Sequence, residues 1–435
     1  MNFTPTISQN KPEPDSGRAA PLGIYTNFSA NLVALRPDDF TNPSYVVHDT
    51  GEIQNFELVP VFEKGKRSFE YRQKLEPAFF RSEKFALQRV AARLLRPLST
   101  KKGRDFRVGQ CFRSVVDPSK SVGIYKSIEH GKCHYGGVMQ CGSVWVCPVC
   151  ASKITERRSQ LIEQAIESHK AAGGDVLLVT FTAPHTREQS LSDLLQGFKK
   201  AEEGFQKTRA IVDLKKTIGF IEPIKSLEIT YGHSNGWHPH SHQLWFVKAG
   251  IDTKTLKNKL YPHWKRYCEK RGLEAPSLKH GIDVRNGLNA AQYVSKMGWS
   301  LGKEVAKGHT KKGRSGNFAP FDLLQEHRET RSDWSKARFQ EYAQSTFGLQ
   351  YISRFPKLQA LYDLGKDLSD EEIAAAQEDQ SVKLGELPLN MWRKVVFYDL
   401  VAAVLELAES SGFVAVLQLL ESLPVPRGRS PSPPI

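Results

Sequence analysis

Residues 226–247 restrict the fold of this chain more than any other stretch: Ser-Leu-Glu-Ile-Thr-Tyr-Gly-His-Ser-Asn-Gly-Trp-His-Pro-His-Ser-His-Gln-Leu-Trp-Phe-Val. Two runs rich in β-branched and aromatic residues flank His233-Ser234-Asn235-Gly236, which is turn chemistry, so the spacing predicts a β-hairpin. The returning strand carries His238, His240 and His242. Side chains two apart on a strand share a face, so the three imidazoles line one side. A connection of odd length, such as Ser234-Asn235-Gly236, sets Glu228 opposite His242 on that face; an even-length turn points Glu228 away. Two imidazoles plus a carboxylate, with positions left open, suit Mg²⁺, Mn²⁺ or Zn²⁺ in a catalytic site. The alternative is a solvent-facing strand that is merely rich in histidine.

Further along, Asn286–Ser300 predicts a helix with Tyr293 and Lys296 on one face. Alone, that pair would be an ordinary combination of core and surface. Upstream, residues 105–158 hold Cys111, Cys133, Cys141, Cys147 and Cys150. Cys147-Pro-Val-Cys150 is a CxxC knuckle, whose spacing lets two thiolates share one tetrahedral Zn²⁺. No thioredoxin-like βαβ context surrounds it, and Cys141 with Cys111 or Cys133 is available, so a structural four-cysteine site is favoured over a redox pair.

Charge narrows the class of partner. Lys and Arg number 61 against 47 Asp and Glu, a formal net charge of +14, which favours a polyanion, and nucleic acid is the usual one. The polar, Pro-containing start has no apolar segment of a signal peptide, and the most hydrophobic region, 395–420, is interrupted by Asp399, Glu406 and Glu409. The expectation is a cytoplasmic protein without a membrane partner, whose cysteines serve metal or stay free.

Composition and periodicity divide the chain as follows. Residues 1–63 are expected to be largely disordered, and 64–104 to form a basic helical segment. The zinc-binding segment spans 105–158. A core over 159–302 contains a helix at Ile154–Ala172, a strand at Asp175–Ala183, a helix at 190–213, the hairpin at 218–232 and 237–247, a basic helix at 253–271 and a strand at Ile282–Val284. A Gly/Lys/Arg-rich loop and helices follow over 303–365. A C-terminal helical region covers 366–423, with helices at Met391–Glu409 and Phe413–Leu423, and a disordered Pro/Ser/Arg-rich tail covers 424–435. Helices alternating with a hairpin-containing sheet give an α+β class.

Taken together, His-Pro-His-Ser-His on a strand preceded by Leu-Glu-Ile-Thr, the upstream Thr-Phe-Thr-Ala-Pro-His, the cysteine run and the downstream Tyr-Val-Ser-Lys resemble the His-hydrophobe-His (HUH) endonucleases. More closely, they resemble the rolling-circle replication initiators of plasmids. The resemblance covers roughly residues 105–355. It implies a ferredoxin-like antiparallel sheet as nuclease core, and Cys111 as fourth zinc ligand beside Cys141, Cys147 and Cys150, in preference to Cys133. It implies Mg²⁺ or Mn²⁺ held by His240 and His242 with Glu228 or His238, and Tyr293 as nucleophile assisted by Lys296. Attack on the origin strand would leave a 5′-phosphotyrosyl link and a free 3′-hydroxyl primer, and the link would later allow rejoining. Plasmid origin DNA and single-stranded DNA are the implied partners. A host helicase and polymerase join them, since no GxxxxGK[ST] motif occurs.

The chain departs from the pattern in places. Asn289 and Met297 stand where some relatives carry a Glu or a second Tyr, and Ser241 stands where a bulky apolar residue separates the two ligand histidines, which keeps His238 with His240 open as the pair. A relaxase or single-strand transposase would use the same chemistry. A zinc-containing DNA-binding regulator would need no tyrosine, and a water-using metal hydrolase would form no covalent adduct.

Overall fold

The computed structural model describes residues 45–47, 53–63, 66–73, 77–100, 103–286, 317–376 and 380–426. The chain divides into two compact units, Met1–Lys74 and Leu75–Ile435.

In the first unit, β1 (Tyr45–Val47), β2 (Ile53–Glu63) and β3 (Lys66–Gln73) form an antiparallel sheet, with Glu63 paired to Lys66 and Phe56 to Gln73. This corrects the expectation of disorder up to residue 63 and of one basic helix from residue 64. Phe69 and Tyr71 alternate with Glu70 and Arg72, a period of two that suits a strand. Basic residues run on from that strand into the helix after it, so reading by charge alone merges the two.

The second unit opens with α1 (Pro77–Leu95), which buries Phe85, Leu87, Val90, Ala91, Leu94 and Leu95. At its centre lies a five-stranded sheet of β6 (Gly174–Thr182), β7 (Pro223–Gly232), β8 (Gly236–Lys248), β9 (Ile282–Asn286) and β10 (Asn317–Phe318). Its order is β10-β7-β8-β6-β9, and every neighbouring pair is antiparallel. Around it stand α2 (Pro148–Ala171), α3 (Leu191–Gln206), α4 (Arg209–Thr217) and α5 (Thr253–Lys270). The helix expected over 190–213 is thus two helices, broken where Thr208 Oγ1 turns back onto the Gly204 carbonyl (3.1 Å) and opens α4 as its cap residue.

The two faces of this sheet are packed differently. On one, Phe181 meets Phe205 of α3 and Trp264 of α5 at ring separations of 5.2 and 5.1 Å. On the other, Leu178, Ile224, Leu244 and Phe246 are covered by Leu161, Ile162 and Ile166 of α2 and by Phe355 and Leu358. Each such side chain contributes about 1.5–3 kcal/mol by leaving water. Along β8 this apolar cover stops at Leu244, and the histidines of the same face begin at His242.

A third sheet joins β4 (Val122–Ser127), β5 (Cys133–Gly136) and β11 (Ser381–Leu387) in the order β11-β4-β5. The C-terminal region is therefore not helical throughout. Its last helix, Val401–Ser422, is long and apolar enough to cross a membrane, and one side of it packs against the rest of the second unit. Val401, Val404, Leu405, Ala408, Val416 and Leu420 are buried, Glu409 pairs with Arg81 of α1 at 2.6 Å, and Tyr135 donates to the Val401 carbonyl. The helix is interrupted at Gly412 (φ 80°), between the two expected helices. The first of these, Met391–Glu409, is itself broken: one helix ends at Phe397, Asp399 takes φ 63°, and the next begins at Val401.

Candidate metal centres

Two groups of metal-ligating side chains lie in the second unit, and they are built in opposite ways. In the first, the backbone brings four thiols to one point. Buried Gln88 of α1 donates to the carbonyls of Val108 (3.2 Å) and Cys111 (2.8 Å), fixing the turn that presents Cys111. Cys141 precedes Gly142, whose φ of +64° suits glycine and whose missing Cβ leaves room for the Glu371 backbone 2.8 Å away. Cys147 caps α2: its Sγ accepts the Cys150 N–H (3.5 Å), and Pro148 takes the first helical position. The helix consequently starts at Pro148 rather than at the expected Ile154.

The sulfur–sulfur distances are 3.8 Å for Cys111–Cys147, 3.6 Å for Cys111–Cys150 and 3.7 Å for Cys141–Cys150. A tetrahedral zinc with Zn–S bonds of about 2.3 Å requires sulfurs about 3.8 Å apart, so these thiols could bind a metal such as zinc. All four are buried. Burial pushes the Cys147 thiol well above its ordinary pKa, whereas hydrogen bonds from Cys111, Cys141 and Cys147 hold Cys150 well below. An arriving cation must therefore displace protons. Cys133 lies apart on β5, where its N–H donates to Glu409 (2.5 Å).

The second group is the histidine face of the hairpin. Gly232 pairs with Gly236, so the connection is His233-Ser234-Asn235, of odd length. Glu228 therefore shares the imidazole face, as an odd connection requires, but its direct partner across the strands is His240 rather than the expected His242. The carboxylate reaches diagonally to His242, with Oε2 2.8 Å from Nε2. On the far side of that ring, Nδ1 is 3.0 Å from Thr180 Oγ1 on β6. The rings continue along the strand: His240 lies 5.7 Å from His242, and His238 lies 3.9 Å from His240.

Next to His238 stands His185, with its Nδ1 3.0 Å from His238 Nδ1. The signal that could have found it was Thr-Phe-Thr-Ala-Pro-His itself, since β6 adjoins β8 and ends at Thr182, close to His185. Asp283 occupies the same cross-strand line as Thr180 and His242, but it is engaged by Arg285 (2.5 Å) and Lys257 (3.7 Å).

The electrostatics leave His238, His240 and His185 neutral at pH 7. Burial, with His240 and His185 nearby, pushes His238 down to about 3. Burial takes His240 to about 4, against the pull of Glu228 and with help from His242. Burial lowers His185 as well. Burial opposes ionisation of Glu228, but the His242 hydrogen bond and the surrounding imidazoles outweigh it, and its pKa falls below the ordinary value. Neutral imidazoles beside an ionised carboxylate are a donor set for a divalent ion. His240 Nδ1 is buried without a hydrogen-bond partner among the described residues, which fits a group meant to hold something. Unlike the thiols, the row does not close on a point: among the described residues, only the four cysteines form a group of three or more donors lying within 4.8 Å of one another. Tyr293 and Lys296, and the basic loop up to residue 316, lie outside the described residues.

Comparison with known proteins falls on this same region. Residues 137–272 match the family model described as "Replication protein". The match takes in Cys141, Cys147, Cys150, His185, Glu228 and the histidine row, and stops short of Tyr293. A "Protein rep" of Streptomyces lividans is 27% identical over 323 residues, covering 59% of this chain and 70% of that protein. A "Neomycin resistance protein" of Streptomyces cyanogenus is 35% identical over 156 residues, covering 30% of this chain and 36% of that protein. This chain thus spans about a third of the second relative. No solved structure matches. The family model and the Streptomyces lividans relative bear out the resemblance to replication initiators that the motifs carry.

Proposed function

We propose that this chain, whose residues 137–272 carry a replication-protein domain, initiates plasmid replication by nicking one strand at the origin and later rejoining it. The observation that carries the reading is the row of imidazoles beside Glu228, on a sheet face where the apolar cover from α2, Phe355 and Leu358 ends at Leu244. The order β10-β7-β8-β6-β9 supports a ferredoxin-like HUH core: without β10, it is a β-α-β-β-α-β chain, with the first crossover split into α3 and α4, folded as one antiparallel sheet.

His240, His242, Glu228 and His238 would hold Mg²⁺ or Mn²⁺, which supplies Lewis-acid withdrawal of charge from a scissile phosphate. Glu228 and Thr180 orient His242 from its two ring nitrogens. Downstream of β9, Tyr293 would attack phosphorus through its phenolic oxygen, giving up its proton as the P–O3′ bond breaks and the 3′ oxygen gains one. A phenol with a pKa near 10 needs help at neutral pH, and the Lys296 ammonium favours the developing negative charge. Because the phosphodiester energy stays in the 5′-phosphotyrosyl bond, the 3′-hydroxyl of a finished strand can attack that bond and close the strand without ATP. The four cysteines would hold a structural Zn²⁺. The proposed setting is the cytoplasm, with origin DNA as substrate and host helicase and polymerase as partners.

The test is incubation of single-stranded or supercoiled origin DNA with the protein and Mn²⁺, followed by a denaturing gel. A covalent adduct that disappears in Tyr293→Phe is expected. An adduct that persists in Tyr293→Phe moves the nucleophile elsewhere, and binding to a cognate origin without cleavage makes the chain a DNA-binding regulator.

A further inference from the structure

The histidine row has two ends, and the hairpin motif accounts for only one of them. At the Glu228 end, His242 is clasped between a carboxylate and the Thr180 hydroxyl. At the other end, His238 meets a ring from outside the hairpin: its Nδ1 is 3.0 Å from Nδ1 and 3.2 Å from Nε2 of His185. Two neutral imidazoles at that separation share one proton at most. Two nitrogens bound to one ion at about 2.0–2.1 Å also lie about 2.8–3.4 Å apart, for octahedral or tetrahedral angles. The pair is therefore already at ligand spacing.

His185 is held there by the backbone. Its loop leaves β6 at Thr182, passes Ala183 (buried) and Pro184, and runs on to press Arg187 and Thr186 against the mouth of the hairpin. Gly236 makes that contact possible. Its φ is +77°, and a Cβ there would fall 2.8 Å from Arg187 Cα and 3.1 Å from the Thr186 carbonyl oxygen. A glycine at the turn thus lets a loop from the neighbouring strand deliver an imidazole to the row. Between the two ends, His240 keeps a buried Nδ1 with no hydrogen-bond partner among the described residues.

We propose that His185 is itself a ligand of the divalent ion at this site, forming with His238 the donor pair that closes the row opposite Glu228 and His242. The proposal rests on the metal reading given above. It makes the site a product of three chain segments, β7, β8 and the loop after β6, rather than of the hairpin alone.

The test uses the zinc-loaded full chain and Mn²⁺ alone, without DNA. Electron paramagnetic resonance gives both the affinity, from the free-ion signal, and the imidazole ¹⁴N couplings to bound Mn²⁺. His185→Ala should weaken binding tenfold or more, on the order of the loss seen for groups that tune metal sites, and should remove one imidazole coupling. Gly236→Ala should weaken binding in the same direction, because it displaces the loop without touching an imidazole, whereas His233→Ala at the exposed turn should not. Unchanged binding in His185→Ala, with binding lost in His242→Ala, would overturn the inference and leave the functional reading standing. So would weaker binding with every coupling retained, which would make His185 a positioning residue. No Mn²⁺ binding by the wild-type chain would overturn both.

Discussion

The four cysteines and the histidine row lie within one unit of one chain and solve opposite problems. The thiols come from a turn, a loop and the first turn of α2, and meet with sulfurs 3.6–3.8 Å apart, all buried. The imidazoles come mainly from one strand, are spread along it, and leave the Glu228 side chain 45% exposed. A closed, buried donor set has no position free for a substrate and can only hold the fold together. An open row on a rigid sheet has positions to spare. On the proposed reading, fold and chemistry are divided between two sets of donors, and each should be breakable without the other.

Cys147→Ser should have the largest effect. It removes one thiol of the closed set while a serine hydroxyl can still cap α2, and structural zinc sites carry on the order of 10 kcal/mol of folding energy. Thermal melting should show at least about 3 kcal/mol of lost stability, and an unchanged melt would contradict the closed-site role. His240→Ala should do the reverse, keeping stability within about 1 kcal/mol, since it removes a ring with an unpaired nitrogen, while adduct formation disappears.

Glu228→Gln should come next. Adduct formation at low Mn²⁺ should fall by about ten- to a hundredfold and recover at high Mn²⁺, because a weakened site can be refilled. No recovery would mean that Glu228 does more than hold the ion and His242.

Acid should separate the two groups by degree. His238 and His240 titrate near 3 and 4 when folded, against an ordinary 6.5, so the unfolded chain binds more protons between those values. Their contribution to stability is level above about pH 6.5 and falls as the pH drops towards 4 and then 3. Double replacement of His238 and His240 by Gln should flatten the stability curve in that window. An unaltered slope would contradict the burial of neutral rings. The smallest effect is expected for Thr180→Val, which removes a 3.0 Å hydrogen bond to His242 and should weaken Mn²⁺ binding by less than tenfold.

Much of this arrangement was legible in residues 226–247. Alternation put three histidines on one face, and the parity of the turn put Glu228 with them. The exact pairing was not legible. It depends on Gly232 pairing with Gly236, and Gly236 is held by contact with Arg187 in the loop after β6, which a local pattern cannot contain. His185 was hidden for the same reason. The spacing of Cys147 and Cys150 announced a shared ion, but the choice of Cys111 over Cys133 came only from family resemblance, because it depends on where Gln88 and Glu409 hold the two backbones. The β11-β4-β5 sheet escaped because Ser381–Leu387 pairs with Val122–Ser127, far away in the chain. The start of β3 was masked by a basic composition that it shares with α1.

The division of labour between the two groups is tested most directly by adduct formation on origin DNA with zinc retained, in His242→Ala and wild-type chains of equal thermal stability. The account predicts a covalent adduct in the wild type on adding Mn²⁺ and none in His242→Ala at any Mn²⁺ concentration. An adduct formed equally well by His242→Ala would place the chemistry outside the histidine row.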